Sequence, residues 1–380
     1  MNGTKKLSCL GMIAAVLVAV GTARAAKDAK EQSTPLVQIA ILLDTSGSMR
    51  GLIDQARAQL WKVVNEFATA EQDGKRAELQ VALYQYGSGS LPAAKGYLRR
   101  VLPLTTDLDK VSQELFALKI GGSKEYCGQV IQAAADQLAW SGSSSDLKAI
   151  FIAGNEPFTQ GPVDYRQACK AAIAKGITVN TIHCGPGQQG IAGKWQDGAT
   201  LADGKSINID HNRKVAHIAA PQDKEIARLD KELNKTYVPY GRRGRAGAAN
   251  QAEQDKNAAR VSRSSVLQRA AAKASAQYRN VSWDLVDAVR DGKIKLEDIK
   301  TEDLPKEIQG QSPAERKAYV EAKAKSRAEV QSKIKVLNEQ RKKHVAAEMK
   351  KRSEKGEKTL DDAIITAVRA QAKRLKFKSN

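Results

Sequence analysis

Asp44, Ser46 and Ser48 stand two residues apart in the stretch ILLDTSGSM (41–49), with Gly47 between the serines. A carboxylate and two hydroxyls at that spacing can turn toward one point, because glycine relaxes the backbone between them. Hard divalent cations such as Mg²⁺ prefer oxygen ligands of this kind and keep water in the remaining positions. So few protein ligands leave the shell open, and a partner's carboxylate can complete it. The chemistry this suggests is binding through a cation, not bond making. No Gly-rich phosphate loop, HExxH or CxxC accompanies the stretch. ITVNTIHC (177–184) places His183 beside Cys184. Neighbours on a strand point to opposite faces, so His183 cannot activate Cys184 as a nucleophile. No catalytic residue is assigned, and the chain is not expected to be an enzyme.

Asp44 needs a scaffold to hold it. VQIAILL (37–43) runs straight into it and reads as a buried parallel strand. Leu52, Ile53, Ala56, Leu60, Val63, Val64 and Phe67 then recur at spacings of three and four, one face of a helix. Further strands are expected at 79–86, 147–154, 177–184 and 206–210. Helices are expected at 111–118, 130–140, 165–176 and 224–237. This alternation predicts an α/β fold over 35–240, a doubly wound and mostly parallel sheet with helices on both faces. Ligands of such sheets bind outside the carboxyl ends of the strands, which is where Asp44 falls.

The rest of the chain differs in composition. GRRGRAGAANQAEQDKNAARVS (241–262) has almost no large apolar residues and reads as a flexible linker. Residues 263–380 read as a basic α-helical region. Ser312-Pro313-Ala314-Glu315 combines a capping serine, a first-turn proline and a glutamate three residues after the cap, and opens a helix reaching about Lys351. Thr359 and Asp362 open another. The chain carries 62 Lys and Arg against 42 Asp and Glu, a net charge of +20. Residues 241–380 hold 34 basic and 19 acidic residues, a net of +15. This region offers a contact for anionic envelope surfaces, while its few aromatics argue against nucleic acid. At the front, Lys5 and Lys6, an apolar run from Leu10 to Val20 and Ala23-Arg24-Ala25 read as a signal peptide over 1–25. The expected product is exported, periplasmic or extracellular, with no transmembrane segment in the mature chain.

The DTSGS of residues 44–48 resembles the D-x-S-x-S loop of the metal-ion-dependent adhesion site in von Willebrand factor type A (vWA) domains. The resemblance covers roughly 35–240. It implies the Rossmann-like vWA fold and a ligand-binding module whose Mg²⁺, Ca²⁺ or Mn²⁺ bridges the domain to a partner, usually a protein. The family's threonine ligand follows a Gly-rich turn, here GGSKEYCG (121–128). Alignment from its start gives Ser123 that position; alignment on the following glycine gives Glu125, which would make the site more negative. The family's late aspartate falls in AGNEP (153–157), which has none. Gly154 most nearly matches that position, so Asn155 or Glu156 must substitute or the contact is lost.

Cys127, Cys169 and Cys184 follow the signal peptide. An oxidising compartment favours a disulfide. Cys169 on its helix and Cys184 on the next strand are the expected pair, with Cys127–Cys184 as rival and three buried thiols as the plainer alternative. The overall expectation is an exported, divalent-cation-dependent binding or scaffold protein of the envelope. Its alternatives are an accessory subunit of an envelope enzyme assembly, or a degenerate metal site with a tail that binds anionic surfaces.

Overall fold

Leu36–Asp44 forms strand β1, buried at every position after the first. A continuous apolar run of this kind is what a strand covered on both faces requires. The computed structural model describes residues 34–67, 70–212, 217–352 and 360–378. The expected signal peptide at 1–25 lies outside the described residues, as does Thr359.

After β1 come a single 3₁₀ turn (Gly47–Met49), α1 (Arg50–Glu66), β2 (Glu71–Gln72), β3 (Lys75–Arg76), β4 (Glu78–Tyr86) and β5 (Leu98–Thr105). There follow α2 (Leu108–Ala117), α3 (Cys127–Gln137), β6 (Leu147–Gly154), α4 (Tyr165–Ala174) and β7 (Thr178–Cys184). Next are α5 (Gly187–Ala192), α6 (Trp195–Thr200), β8 (Ser206–Ile209) and α7 (Asp223–Asn234). The C-terminal region adds α8 (Gly241–Val261), α9 (Arg263–Lys273), α10 (Leu285–Arg290), α11 (Lys306–Gln309), α12 (Pro313–Arg352) and α13 (Leu360–Arg374).

Six strands form one sheet in the order β5-β4-β1-β6-β7-β8. Every pairing is parallel except β4 with β5. The chain moves outward from β1 to β4 and then returns to its other side at β6, so the sheet switches direction at β1. The register aligns Asp44 with Tyr86, Leu43 with Ala153 and Gly154 with His183, all at one edge. On one face Ile39, Ile41 and Leu43 pack with Leu52, Ile53 and Leu60 of α1 and Ile364 and Val368 of α13. On the other, Ala40 and Leu42 meet Val130 and Ile131 of α3 and Ala168 and Ala172 of α4.

Two expectations are corrected. Residues 241–262 are not a linker, because α8 occupies 241–261 and buries Gln251, Gln254 and Asn257. Its contacts are polar: Gln251 donates to the Tyr278 hydroxyl (3.1 Å) and Gln254 accepts from Ser112 of α2 (2.9 Å). The boundary at 240 therefore does not separate two bodies. The region beyond it is joined to the sheet by α13, which lies beside α1 and covers β6, β7 and β8. Cys169 and Cys184 also do not pair. Cys184 shares the face of Ile182 and α1, whereas Cys169 packs with α3 on the other side. The alternation of strand side chains puts the sheet between them. Cys127, Cys169 and Cys184 are all free and buried.

Buried charges tie the helices together. Arg269 of α9 donates to Asp109 of α2 (2.7 Å) and stacks over Trp61. Lys273 meets Asp230 of α7 (2.7 Å) and Asp255 of α8 (3.1 Å). Arg327 of α12 bonds Asp284 (2.6 Å) and Asp287 (2.9 Å) of the α10 segment.

Two outcomes follow. Ile364→Ala is expected to cost about 2–5 kcal/mol in chemical denaturation, and an unchanged midpoint would mean that α13 is undocked in solution. Arg327→Ala leaves buried Asp284 without its cation and Asp287 with Arg290 alone (3.1 Å), and is expected to cost about 3–5 kcal/mol, read from the same transition.

Candidate functional site

β1 delivers Asp44 to the carboxyl edge of the sheet with no exposed surface. Its Oδ1 accepts the Ser46 backbone N–H (2.7 Å), which turns the chain immediately after the strand. Its Oδ2 has no hydrogen-bond partner. The space around it is kept by glycines. A Cβ on Gly87, whose φ is +81°, would lie 2.5 Å from Asp44 Oδ1, and one on Gly154 would lie 3.1 Å from Oδ2. Burial pushes the carboxyl up to about 7, with Glu125 and Glu156 adding to the rise and the Ser46 N–H opposing it.

Three loops converge on this carboxylate. Thr45 donates its N–H (2.9 Å) and its hydroxyl (3.0 Å) to the Tyr86 carbonyl. The Gly47 N–H reaches the Gly122 carbonyl (3.1 Å), and the Gly121 N–H reaches that of Thr45 (2.8 Å). The Gly89 N–H closes the set on the Gly121 carbonyl (3.0 Å). Gly122, at φ +117°, lies so close to the 87–89 backbone that a Cβ would fall 2.1 Å from the Gly89 nitrogen. The Gly-rich turn is thus what allows the 121–125 loop to reach the strand end.

Ser46 and Ser48 bring their hydroxyls within 3.3 Å of each other. Ser48 also donates to Asn155 Oδ1 (3.4 Å). Between the two alignments of the 121–128 loop, the geometry differs sharply. Ser123 is exposed, whereas Glu125 is 3% exposed and lies close to the Ser46 side chain. Burial and then the neighbouring Glu156 hold the Glu125 carboxyl above its usual range. Glu156 accepts from Gln160 (3.4 Å), whose Oε1 accepts the Glu125 N–H (3.3 Å). Asp44, Ser46, Ser48, Glu125, Asn155 and Glu156 therefore gather at one place, and Ser123 follows Gly122 on the exposed side of the loop.

The missing aspartate has a steric cause. A Cβ at Gly154 would stand 2.5 Å from the Tyr86 hydroxyl, which donates to the Ala153 carbonyl (3.0 Å). Tyr86 thus occupies the volume that a side chain at 154 would need. Three supporting residues were not singled out from the sequence for this place: Tyr86, Gln160 and His183. His183 is buried beside the Asn155 backbone and Asn208, and burial lowers its pKa, so it is a neutral prop for that loop. Its place near the end of the strand was visible in the sequence; its neighbours were not.

The donor set is all oxygen, and it includes one orphaned buried carboxylate oxygen inside a glycine-lined cradle. That suits a hard divalent cation. Among the described residues no group of three His, Cys, Asp or Glu side chains stands close enough to hold a metal, so hydroxyls and water would have to supply the remaining ligands.

Residues 38–202 match the family model of the von Willebrand factor type A domain. Among solved structures, the conserved hypothetical protein BatB of Bacteroides thetaiotaomicron is 18% identical, covering 46% of this chain and 90% of its own, with a TM-score of 0.36. An aerotolerance-related membrane protein of Bacteroides fragilis, carrying multiple mutations to serines, is 16% identical over 46% of this chain and 93% of its own, with a TM-score of 0.32. The SpRpn10 VWA domain is 17% identical over 46% of this chain and 88% of its own, with a TM-score of 0.34. No curated protein matches the chain.

Crowding at the cradle gives a test. Gly154→Ala is expected to cost about 1–3 kcal/mol by overpacking. Gly47→Ala, whose Cβ would meet nothing nearer than 3.9 Å, is expected to cost much less. Equal costs in chemical denaturation would contradict the tight packing around Asp44.

Proposed function

Residues 38–202 are a von Willebrand factor type A domain, and from that premise we propose a binding or scaffold protein that engages its partner through a divalent cation at Asp44. Domains of this family mediate protein–protein interaction. The observation that carries the reading is Asp44 Oδ2, fully buried and unpartnered. A buried carboxylate left without a partner is expensive, and a function that needs it is the usual reason to keep one.

Asp44, Ser46, Ser48 and Glu125 would hold the ion, Mg²⁺, Ca²⁺ or Mn²⁺, with Asn155 and Glu156 at the rim. When bound, the cation supplies positive charge and an open position for a partner's carboxylate. The chain's own residues do the rest. Gln160 holds the Glu125 backbone, Asn155 steers Ser48, and the 45–48, 87–89 and 121–125 loops keep the cradle in shape. Binding is the role we assign to this arrangement.

The site of action we propose is the cell envelope. The charged and then apolar residues of 1–25 support export. Among the described residues no helix is long and apolar enough to cross a membrane. α12 exposes Lys325, Lys333 and Lys343 along its length, which suits a secondary contact with anionic envelope surfaces.

Calorimetry on the chain from residue 26 tests the cation. Heat is expected at millimolar Mg²⁺, Mn²⁺ or Ca²⁺, absent in Asp44→Ala and roughly tenfold or more weaker in Glu125→Gln. No metal-dependent heat, or unchanged heat in Asp44→Ala, would leave a relic site whose loops are held by hydrogen bonds alone. A pull-down from envelope extract with and without chelator then asks whether the partner depends on the ion.

A further inference from the structure

A second cavity, of about 360 Å³, opens at the far end of the sheet, where β1 and β4 begin. Nine-residue strands separate it from Asp44, a distance of roughly 27 Å. It is absent from the vWA fold taken alone, because the C-terminal region supplies most of its wall. The loop after α9, the end of α10 and the middle of α12 close over the β3–β4 connection.

Its charges are unbalanced. Arg76, Arg279, Arg290 and Lys335 line it, against only Glu78 and Asp291. Both carboxylates are already engaged. Arg279 holds Glu78 (3.0 Å) and Asp291 (3.4 Å), and Arg290 holds Asp291 (2.9 Å). Arg76 and Lys335 remain, and neither has an ion-pair partner among the described residues. They come from distant parts of the chain, a β-hairpin and α12, and the fold sets them against each other. The Lys335 ammonium is held below its usual range, first by partial burial and then by Arg76. Two cations lining one cavity with no carboxylate paired to either cost free energy, and a bound anion would remove that cost.

We propose that this cavity binds a small organic phosphate, with Arg76 and Lys335 as the residues that grip its oxyanion. A guanidinium offers paired donors to two phosphate oxygens, and an ammonium adds a compact charge to the third. The volume falls within the roughly 300–1,000 Å³ of small-molecule sites, so it admits a phosphate with a short polar body. Arg279 and Arg290 line the same cavity, already paired with Glu78 and Asp291. The site is independent of the cation at Asp44.

The same headgroup chemistry can come from a soluble ester or from an anionic lipid, and the test separates them. The chain from residue 26 is titrated with glycerol phosphate by calorimetry, and with phosphatidylglycerol vesicles by sedimentation. The variants are Arg76→Gln/Lys335→Gln and a control of equal charge, Lys170→Gln/Lys205→Gln, both exposed and outside the cavity lining. The cavity variant is expected to bind roughly tenfold or more weaker, and the control to change little. Loss restricted to the soluble arm identifies a free ester; loss in both arms identifies a lipid headgroup. Thermal unfolding of each variant checks that the fold is kept. No binding of either probe at millimolar phosphate, or equal weakening in the two variants, overturns the proposal.

Discussion

Arg269 is 1% exposed and Lys273 is fully enclosed. Removing such cations from water costs several kcal/mol unless anions meet them. Here the anions come from separate elements: Asp109 from α2, Asp255 from α8 and Asp230 from α7. None of these helices can shift without stranding a charge. Arg341 repeats the device by binding Asp223 at the start of α7 (2.9 Å). These pairs restrict the arrangement more than they stabilise it, since a well-packed apolar substitute can be as stable. They turn an alternating α/β fold and a set of helices into a single unit.

Against that background Asp44 is the exception. In the C-terminal half, buried carboxylates such as Asp284 face a guanidinium. Asp44 faces Glu125 and Glu156 instead, and has one oxygen with no partner. The chain supplies counter-ions elsewhere in its core, so the lack of one here is local and specific. It is also built in, because two glycines hold open the space that larger residues would fill.

The strands were legible because a buried parallel strand is written as a continuous apolar run, and VQIAILL and LKAIFIAG are such runs. β5 was not, since an edge strand is covered on fewer sides; Arg99, Arg100 and Pro103 interrupt its pattern. α8 was hidden for a different reason. Its inward face uses Gln251, Gln254 and Asn257, and Gly247 packs so tightly on Trp283 that a Cβ would fall 2.2 Å from the ring. A search for apolar periodicity cannot detect a helix that docks through amides and glycine. At the site, Asp44, Ser46 and Ser48 were readable from spacing alone. The burial of Glu125 beside an exposed Ser123, and the exclusion of a side chain at 154 by Tyr86, depend on contacts between strands that only the folded chain brings together.

Lys378 and Glu71 exchange backbone hydrogen bonds of 2.7 and 2.8 Å, so the segment after α13 clasps the hairpin that precedes β4. Those two residues are separated by almost the whole described chain. A ribosome delivers the polypeptide in order, and every strand emerges before the helix that roofs β6, β7 and β8. Until that helix arrives, one face of β6, β7 and β8 lacks its cover, while α3, α4 and α6 lie on the other, and contacts of such long range form slowly. Folding of this protein must therefore finish in a late step after most of the chain has been made. The apolar surface that Ile364 and Val368 cover is therefore the last part of the sheet to find its partner.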